Sequence, residues 1–476
     1  MDTNFHIDTR PLPVLFLLKY KAFLFLLVLG GVFLHLMSLQ SPIDGLTQQG
    51  YFALVIFVLS VILWVTNVLP LAITSLLVMG LLSTYQVLDN DTIYSFFGDS
   101  AIFFILGAFM ITAAVSSTGL SRRVAYVVLG RFGRTPFRIV LNVFLLAAVM
   151  SLVMPTHAVA ALMYPLLMEI AKALNLKKGD RLGKFMFFAL CWGAVIGGVA
   201  TFLGGARNPL AVGMLQSRTG IEIGFTQWFV AVGPIALGMM LFAVVLLHRA
   251  AKLKKRTLDL SAVRQEISLL GKFSFNEAKA AVILIVTLYM WVFHGSTVGI
   301  ANIALISAAM FFVLGAVTWE EMAQQINWGT VFMYGGAITL GKSLTGSGVL
   351  EWLLETHLVS LQLGPLFLLM LVAAASIILT EGISNAAVVG MLMPLVMEYS
   401  AVFGFDPRLS AYMVAVPSGL SFMFPMGTPA NAIAYSSGFY TLRESAIYGL
   451  ILNLAAWAIF VLMAALYWPL LGLQLV

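Results

Sequence analysis

The chain has 476 residues, 61% of them hydrophobic and 10% charged, with a mean hydropathy of +1.00. Soluble domains are about 45–50% apolar and about 25% charged, so a water-soluble globule is excluded and the composition is that of an integral membrane protein. The formal charge of +6 does not imply nucleic acid: twenty of the 26 basic residues fall within the first 21 residues and in segments 121–138, 172–184 and 249–272, and the positive-inside rule reads such clusters as cytoplasmic ends of spans.

Long apolar runs from Lys19 to Trp468 predict membrane helices; a barrel would show short alternating segments. Residues 1–19 read as a cytoplasmic N-terminal tail and 20–49 as the first transmembrane helix and its loop. The apolar stretch 22–37 runs into His35-Leu36-Met37-Ser38-Leu39-Gln40 without a small-x-small cleavage pattern, so it is expected to be a span and not a signal peptide. Segment 138–171 lies between two basic clusters and must return to the face it left. Its interruption at Pro155-Thr156-His157 predicts a re-entrant helical hairpin, which is tolerated where protein or a water-filled cavity surrounds the tip. The following crossing, 184–215, is broken at Gly204-Gly205-Ala206-Arg207-Asn208-Pro209. A basic cytoplasmic linker, 249–277, precedes helices near 278–295, 298–317 and 329–350, a second hairpin at 364–401 and a second broken helix at 409–437.

A comparison of the chain with itself at a shift of 229 places Gly107-Ala108 over Gly336-Ala337, Gly119 over Gly348, Ser151 over Thr380, Ala158-Val159 over Ala387-Val388, Pro165 over Pro394 and Glu169 over Glu398. At a shift of 223, Gly204 and Asn208 fall on Gly427 and Asn431. Residues 50–248 and 278–470 therefore read as two repeats, and counting crossings gives them opposite orientation. The predicted class is an all-α polytopic membrane protein of about eleven transmembrane helices, with two hairpins and two broken helices. In such folds substrate sits near the bilayer midplane, where broken helices expose backbone groups and helix-end dipoles. The four breaks thus form the expected site: Ser151 to Ala158, Gly204 to Asn208, Thr380 to Ala387 and Gly427 to Asn431. Their amides, hydroxyls and helix N-termini suit a small anion, and their carbonyl and hydroxyl oxygens suit a dehydrated alkali cation.

At these residues the sequence resembles the divalent anion:sodium symporters, which carry dicarboxylates, citrate or sulfate. Ser384-Asn385 and Thr428-Pro429-Ala430-Asn431 match the family's second hairpin tip and second turn, and Trp64-Val65-Thr66-Asn67-Val68-Leu69-Pro70-Leu71-Ala72 looks like its early helix motif. The resemblance spans about residues 50–470. It implies a homodimeric elevator transporter, in which a body carrying both hairpins slides against a dimerised scaffold. By the same resemblance, one sodium site would use Ser151, the first tip's serine and asparagine, and the Gly204 carbonyl. The other would use Thr380, Ser384, Asn385 and the Gly427 carbonyl.

The departures concentrate in the first copy. Pro155-Thr156-His157 replaces the family's Ser-Asn-Thr, Gly205-Ala206-Arg207-Asn208 replaces Thr-Pro-Pro-Asn, and Ala386 replaces the second tip threonine. Sodium dependence is therefore expected to be reduced or absent, and the second site is the one place where the residues fit a sodium ion. A charge buried in a membrane protein is costly and reads as functional. Arg207 is expected either to replace a sodium charge or to pair with a carboxylate or sulfate, and His157 to donate a hydrogen bond and allow proton coupling. The substrate residues expected are Thr156, His157, Arg207, Asn208, Ser384, Asn385, Thr428 and Pro429.

Gly336-Ala337-Ile338-Thr339-Leu340-Gly341-Lys342-Ser343 fits GxxxxGK[ST], but it lies inside a membrane helix without the preceding strand a phosphate loop needs. Lys342 is expected to snorkel at a helix end, and Glu381 either to brace the second hairpin or to carry a proton. With the single Cys191, no metal cluster and no nucleophile constellation, neither enzyme nor cofactor is expected. The leading function is secondary active transport of a C4 or C5 dicarboxylate in a bacterial inner membrane, with the N-terminus cytoplasmic, by sodium-independent exchange or proton coupling; sodium symport through the second site alone is an alternative. Sulfate or an organosulfonate is the alternative substrate; a channel or a transport-inactive receptor is the alternative class.

Overall fold

A computed structural model describes residues 12–132, 135–253, 271–353, 356 and 364–473. All its regular elements are helical. They comprise α1 (Leu12–Met37), α2 (Gln48–Thr66), α3 (Leu71–Thr84), α4 (Ser100–Ser117), α5 (Leu120–Phe132), α6 (Pro136–Met150), α7 (Thr156–Ala173), α8 (Arg181–Val199), α9 (Arg207–Thr219), α10 (Phe225–Ala251), α11 (Phe275–Val298), α12 (Ile300–Val313), α13 (Trp328–Gly346), α14 (Pro365–Thr380), α15 (Asn385–Val402), α16 (Pro407–Ser418), α17 (Pro429–Ser436) and α18 (Leu442–Leu466), with short helical turns between some of them. Eight described helices are long and apolar enough to cross a membrane and four more are apolar but shorter.

Helix ends follow local chemistry. Thr47 caps α2 by accepting from Gly50 N–H at 3.1 Å. Ser274 and Glu277, and Thr441 and Glu444, form reciprocal capping boxes on α11 and α18. Proline opens α6, α14, α16 and α17, where its missing N–H is not needed. The early Trp64–Ala72 motif is the break between α2 and α3: Asn67 is left-handed at φ 49° and Pro70 precedes α3.

Both hairpins and both broken helices are present. The first hairpin is α6 and α7, the second α14 and α15; α8 breaks before α9, and α16 breaks before α17. Counting each broken helix once, the spans are α1 to α4, α8/α9, α10 to α13, α16/α17 and α18, which reproduces the expected eleven. The odd number of crossings between the starts of α2 and α11 makes the repeat inverted. α1 begins at Leu12, because Leu12 to Leu18 is already apolar, and its stretch Tyr20–Met37 is long and apolar enough to cross a membrane. Most of the basic linker, 254–270, lies outside the described residues.

The repeat is visible as reciprocal packing. α4 of the first copy packs on α12 of the second, and α13 of the second packs on α3 of the first. A Cβ on Gly107 would meet Ala304 at 2.7–2.8 Å, and one on Gly336 would meet the Cα and Oγ of Ser75 at 2.8 Å. Both the glycines and their partners are related by the shift of 229, so the same small-residue contact is made twice with the halves exchanged. α3, α4, α12 and α13 form one interlocked group. In the other, α6 and α7 pack on α8, and α14 and α15 pack on α16.

Candidate functional site

The four breaks converge on a cavity of about 370 Å³ between the two groups of helices. In the second copy, Ser384 caps α15 by accepting from Ala387 N–H at 3.2 Å. The buried Thr380 Oγ1 lies 2.8 Å from Asn385 Oδ1 and 3.0 Å from the Ser418 carbonyl. Thr428 caps α17 by accepting from Asn431 N–H at 3.2 Å. Asn431 Nδ2 donates to the carbonyls of Ser421 (3.1 Å) and Phe424 (3.4 Å), knitting the turn. The first turn repeats this: Asn208 Nδ2 donates to the carbonyls of Gly198 (3.3 Å) and Thr201 (2.7 Å), the equivalents at a shift of 223.

Glu381, beside the second tip, is buried. Its carboxylate accepts from the main-chain N–H groups of Phe422 (2.9 Å), Met423 (3.0 Å) and Phe424 (2.9 Å), and from Asn453 Nδ2 (2.6 Å). It pins the hairpin tip to the break between α16 and α17, and that break to α18. The position equivalent to Glu381 in the first copy is Leu152, whose carbonyl accepts from Thr201 Oγ1 at 2.7 Å; a neutral bond does there what a carboxylate does here. Lys342 pairs with Asp99 at 3.0 Å, so the lysine expected to snorkel is held by an ion pair.

Of the residues predicted from sequence, Thr156, His157, Arg207, Ser384, Asn385, Thr428, Pro429 and Gly427 line the cavity. Thr380 stands behind Asn385. Asn208 does not line it: fully buried, it spends its amide hydrogens on the turn. Arg207 begins α9 and is only 4% exposed. Its guanidinium lies over Gly419, too close for any side chain there, and against Gly205, where a Cβ would sit 2.8 Å from its Cζ. Its Nε and one terminal nitrogen are buried without a hydrogen-bond partner, and it makes no ion pair among the described residues. Reading the sequence missed Trp64 and Asn67 beside α3, Phe109 on α4, and Asn327, Thr330 and Tyr334 near the start of α13, all of which also line the cavity. Trp64 Nε1 and the Tyr334 hydroxyl are likewise buried without partners. Trp64–Asn67 carried a motif that pointed to it; Tyr334 carried none.

The residues expected to form the second cation site lie together. A Cβ on Gly427 would be 3.2 Å from the Thr380 carbonyl, and Gly427, Ser384 and Asn385 share the cavity wall. Ser421 Oγ and Asn431 Oδ1 nearby are buried without partners, the oxygen-rich setting an alkali cation needs. At the first tip the Gly204 carbonyl is engaged by Thr156 N–H at 3.2 Å. No group of three or more His, Cys, Asp or Glu able to hold a metal occurs among the described residues.

The sodium-dependent dicarboxylate transporter SdcS of Staphylococcus saprophyticus is 28% identical to this chain over 478 residues, which cover 94% of this chain and 92% of SdcS. The protein of the same name in Staphylococcus aureus strain USA300 is 26% identical over 470 residues, covering 93% and 90%. The crystal structure of the Alcanivorax borkumensis YdaH transporter superposes with a TM-score of 0.55 at 15% identity, covering 79% of this chain and 87% of that one, a likeness of fold alone. The family described as "Sodium:sulfate symporter transmembrane region" matches residues 20–474. With that match running nearly end to end over the two hairpins and two broken helices, the chain belongs to the sodium:sulfate symporter family, the divalent anion:sodium symporters.

Proposed function

We propose that the protein is a secondary active transporter of small divalent anions, C4 or C5 dicarboxylates in the first place, in a bacterial plasma membrane. It works as a homodimer by an elevator form of alternating access, in which the hairpins and broken helices move together against the interlocked α3, α4, α12 and α13. The names of the SdcS relatives support the substrate class. The observation that carries the reading is Arg207: a buried guanidinium, two of its nitrogens without a hydrogen-bond partner among the described residues, on a cavity between two hairpin tips. An uncompensated buried charge is strongly unfavourable, and a carboxylate answers both its charge and its planar fork.

Arg207 stands in the half that lost the tip serine and asparagine, and supplies there the positive charge a sodium ion would bring. Sodium binds at Thr380, Ser384, Asn385 and the Gly427 carbonyl only. A tethered charge cannot leave with substrate, so return of the empty carrier is disfavoured and exchange is favoured.

The test is uptake of labelled succinate into proteoliposomes, empty or preloaded with unlabelled dicarboxylate, across a series of sodium concentrations. Internal dicarboxylate is expected to stimulate uptake, and sodium activation to be hyperbolic, as for one ion. Sigmoidal sodium activation would mean that the first site also takes a cation, and no transport of any dicarboxylate or of sulfate would refute the function. Conductance without saturation would identify a channel instead.

A further inference from the structure

Tyr334 presents a problem that the proposed function does not solve. Its ring is fully buried on α13, yet its hydroxyl has no hydrogen-bond partner among the described residues. A buried tyrosine ordinarily finds one, since a hydroxyl removed from water without a partner is destabilising. The charged group on the same cavity does not help: Arg207 also lines it, but a guanidinium has only hydrogens to offer. Two donors on one cavity, one charged and one neutral, lack an acceptor among the described residues.

We propose that Arg207 and Tyr334 together clamp one carboxylate of the transported dianion, which makes Tyr334 a substrate-binding residue contributed by the helix group that does not carry the hairpins. The inference rests on the reading of the cavity as a dicarboxylate site. A guanidinium offers a planar fork to a carboxylate, and a phenol hydroxyl adds a third donor to the same oxygens. The two donors come from different groups of helices. Arg207 is wedged between Gly205 and Gly419, in the two broken turns. Tyr334 is anchored through Gly336, two residues further along α13, which packs against Ser75 of α3. Substrate bound between them touches both groups in the arrangement seen here, and the Tyr334 contact is given up when the hairpins and broken helices carry it across.

Purified full-length protein in detergent or nanodiscs is titrated with succinate, comparing wild type with Tyr334→Phe, Arg207→Lys and the double variant. Tyr334→Phe removes one oxygen that has no protein partner, so the ligand-free melting temperature is expected to stay the same or rise. Succinate affinity is expected to fall about tenfold or more, as for a lost bond to a charged group. In the Arg207→Lys background, which keeps the charge and loses the fork, Tyr334→Phe is expected to weaken affinity by much less than it does in wild type. A Tyr334→Phe protein that binds succinate as wild type does, or whose loss simply adds to that of Arg207→Lys, would overturn the clamp and leave the proposed function standing. A ligand-free melting temperature that falls with Tyr334→Phe would assign the hydroxyl a packing role and also overturn it. Wild-type protein that binds neither succinate nor sulfate overturns the function and the clamp together. Should Arg207→Lys fail to fold, the Tyr334→Phe affinity and melting temperature decide alone.

Discussion

Glu381 offers the most direct trial of the hairpin geometry. Replacing it with alanine would strip the partner from the main-chain N–H groups of Met423 and Phe424 and from Asn453 Nδ2, while Phe422 N–H falls back on Asn453 Oδ1 at 3.2 Å. At about 1–3 kcal/mol for each unsatisfied group, that loss of about 3–9 kcal/mol is a large share of a marginal stability. Glu381→Gln is milder and more informative. Its oxygen, placed at Oε1, keeps three bonds without the charge, while its NH2 faces the N–H of Phe424, donor against donor. Weakening three bonds from charge-assisted to neutral and breaking the fourth costs about 3 kcal/mol locally. Hydrogen exchange in lipid nanodiscs reads this as about a hundredfold faster exchange at Met423 and Phe424, with the amides of α10 unchanged. Unchanged exchange across 420–428 in Glu381→Gln would refute the argument that the carboxylate fastens the turn. Transport under varied pH separates the other reading: a fastening carboxylate leaves the shape of the pH profile intact and lowers the rate, whereas a proton carrier would lose its pH dependence.

Gly107→Ala and Gly336→Ala each force a methyl group onto Ala304 or Ser75; both are expected to destabilise by about 1–3 kcal/mol, to a similar degree, in thermal unfolding. An effect at one glycine only would contradict the reciprocal contact. Thr380→Val removes the hydroxyl bonded to Asn385 and Ser418, and is expected to raise the sodium concentration for half-maximal uptake about tenfold with little change at saturating sodium. An unaltered sodium curve would remove Thr380 from the cation cluster. His157→Gln is expected to flatten the pH dependence of uptake; an unchanged profile would exclude proton coupling through this side chain.

Much of the architecture was legible because charge and repetition fix it. The basic clusters on either side of 138–171 forced a hairpin, and α6 and α7 run over Pro136–Ala173. The second hairpin, expected at 364–401, occupies Pro365–Val402, since the shift of 229 carries the first onto it. The polar tips stand out against apolar surroundings for the same reason. Asn208 was misplaced because a stitching amide and a ligating amide are the same group; only its three-dimensional neighbours distinguish them. Tyr334 escaped because α13 is apolar on every side, so its periodicity marks no face, and the neighbour that gives the hydroxyl its meaning, Arg207, is 127 positions away.

The exchange of halves seen where Gly107 meets Ala304 and Gly336 meets Ser75 has a thermodynamic corollary for a carrier that alternates. In an inverted repeat, the conformation open to the opposite side is reached when each half adopts the shape of the other. Two identical halves would make the two end states equal in free energy. Here the halves are chemically unlike, with Pro155-Thr156-His157 and Arg207 in one against Ser384-Asn385-Ala386 and Ala430 in the other. Each such difference is a difference between the end states, and every 1.4 kcal/mol or so of it tilts their resting populations tenfold. On the proposed alternating mechanism the molecule is thereby a rectifier by sequence, with unequal apparent affinities on its two faces even when no gradient is applied.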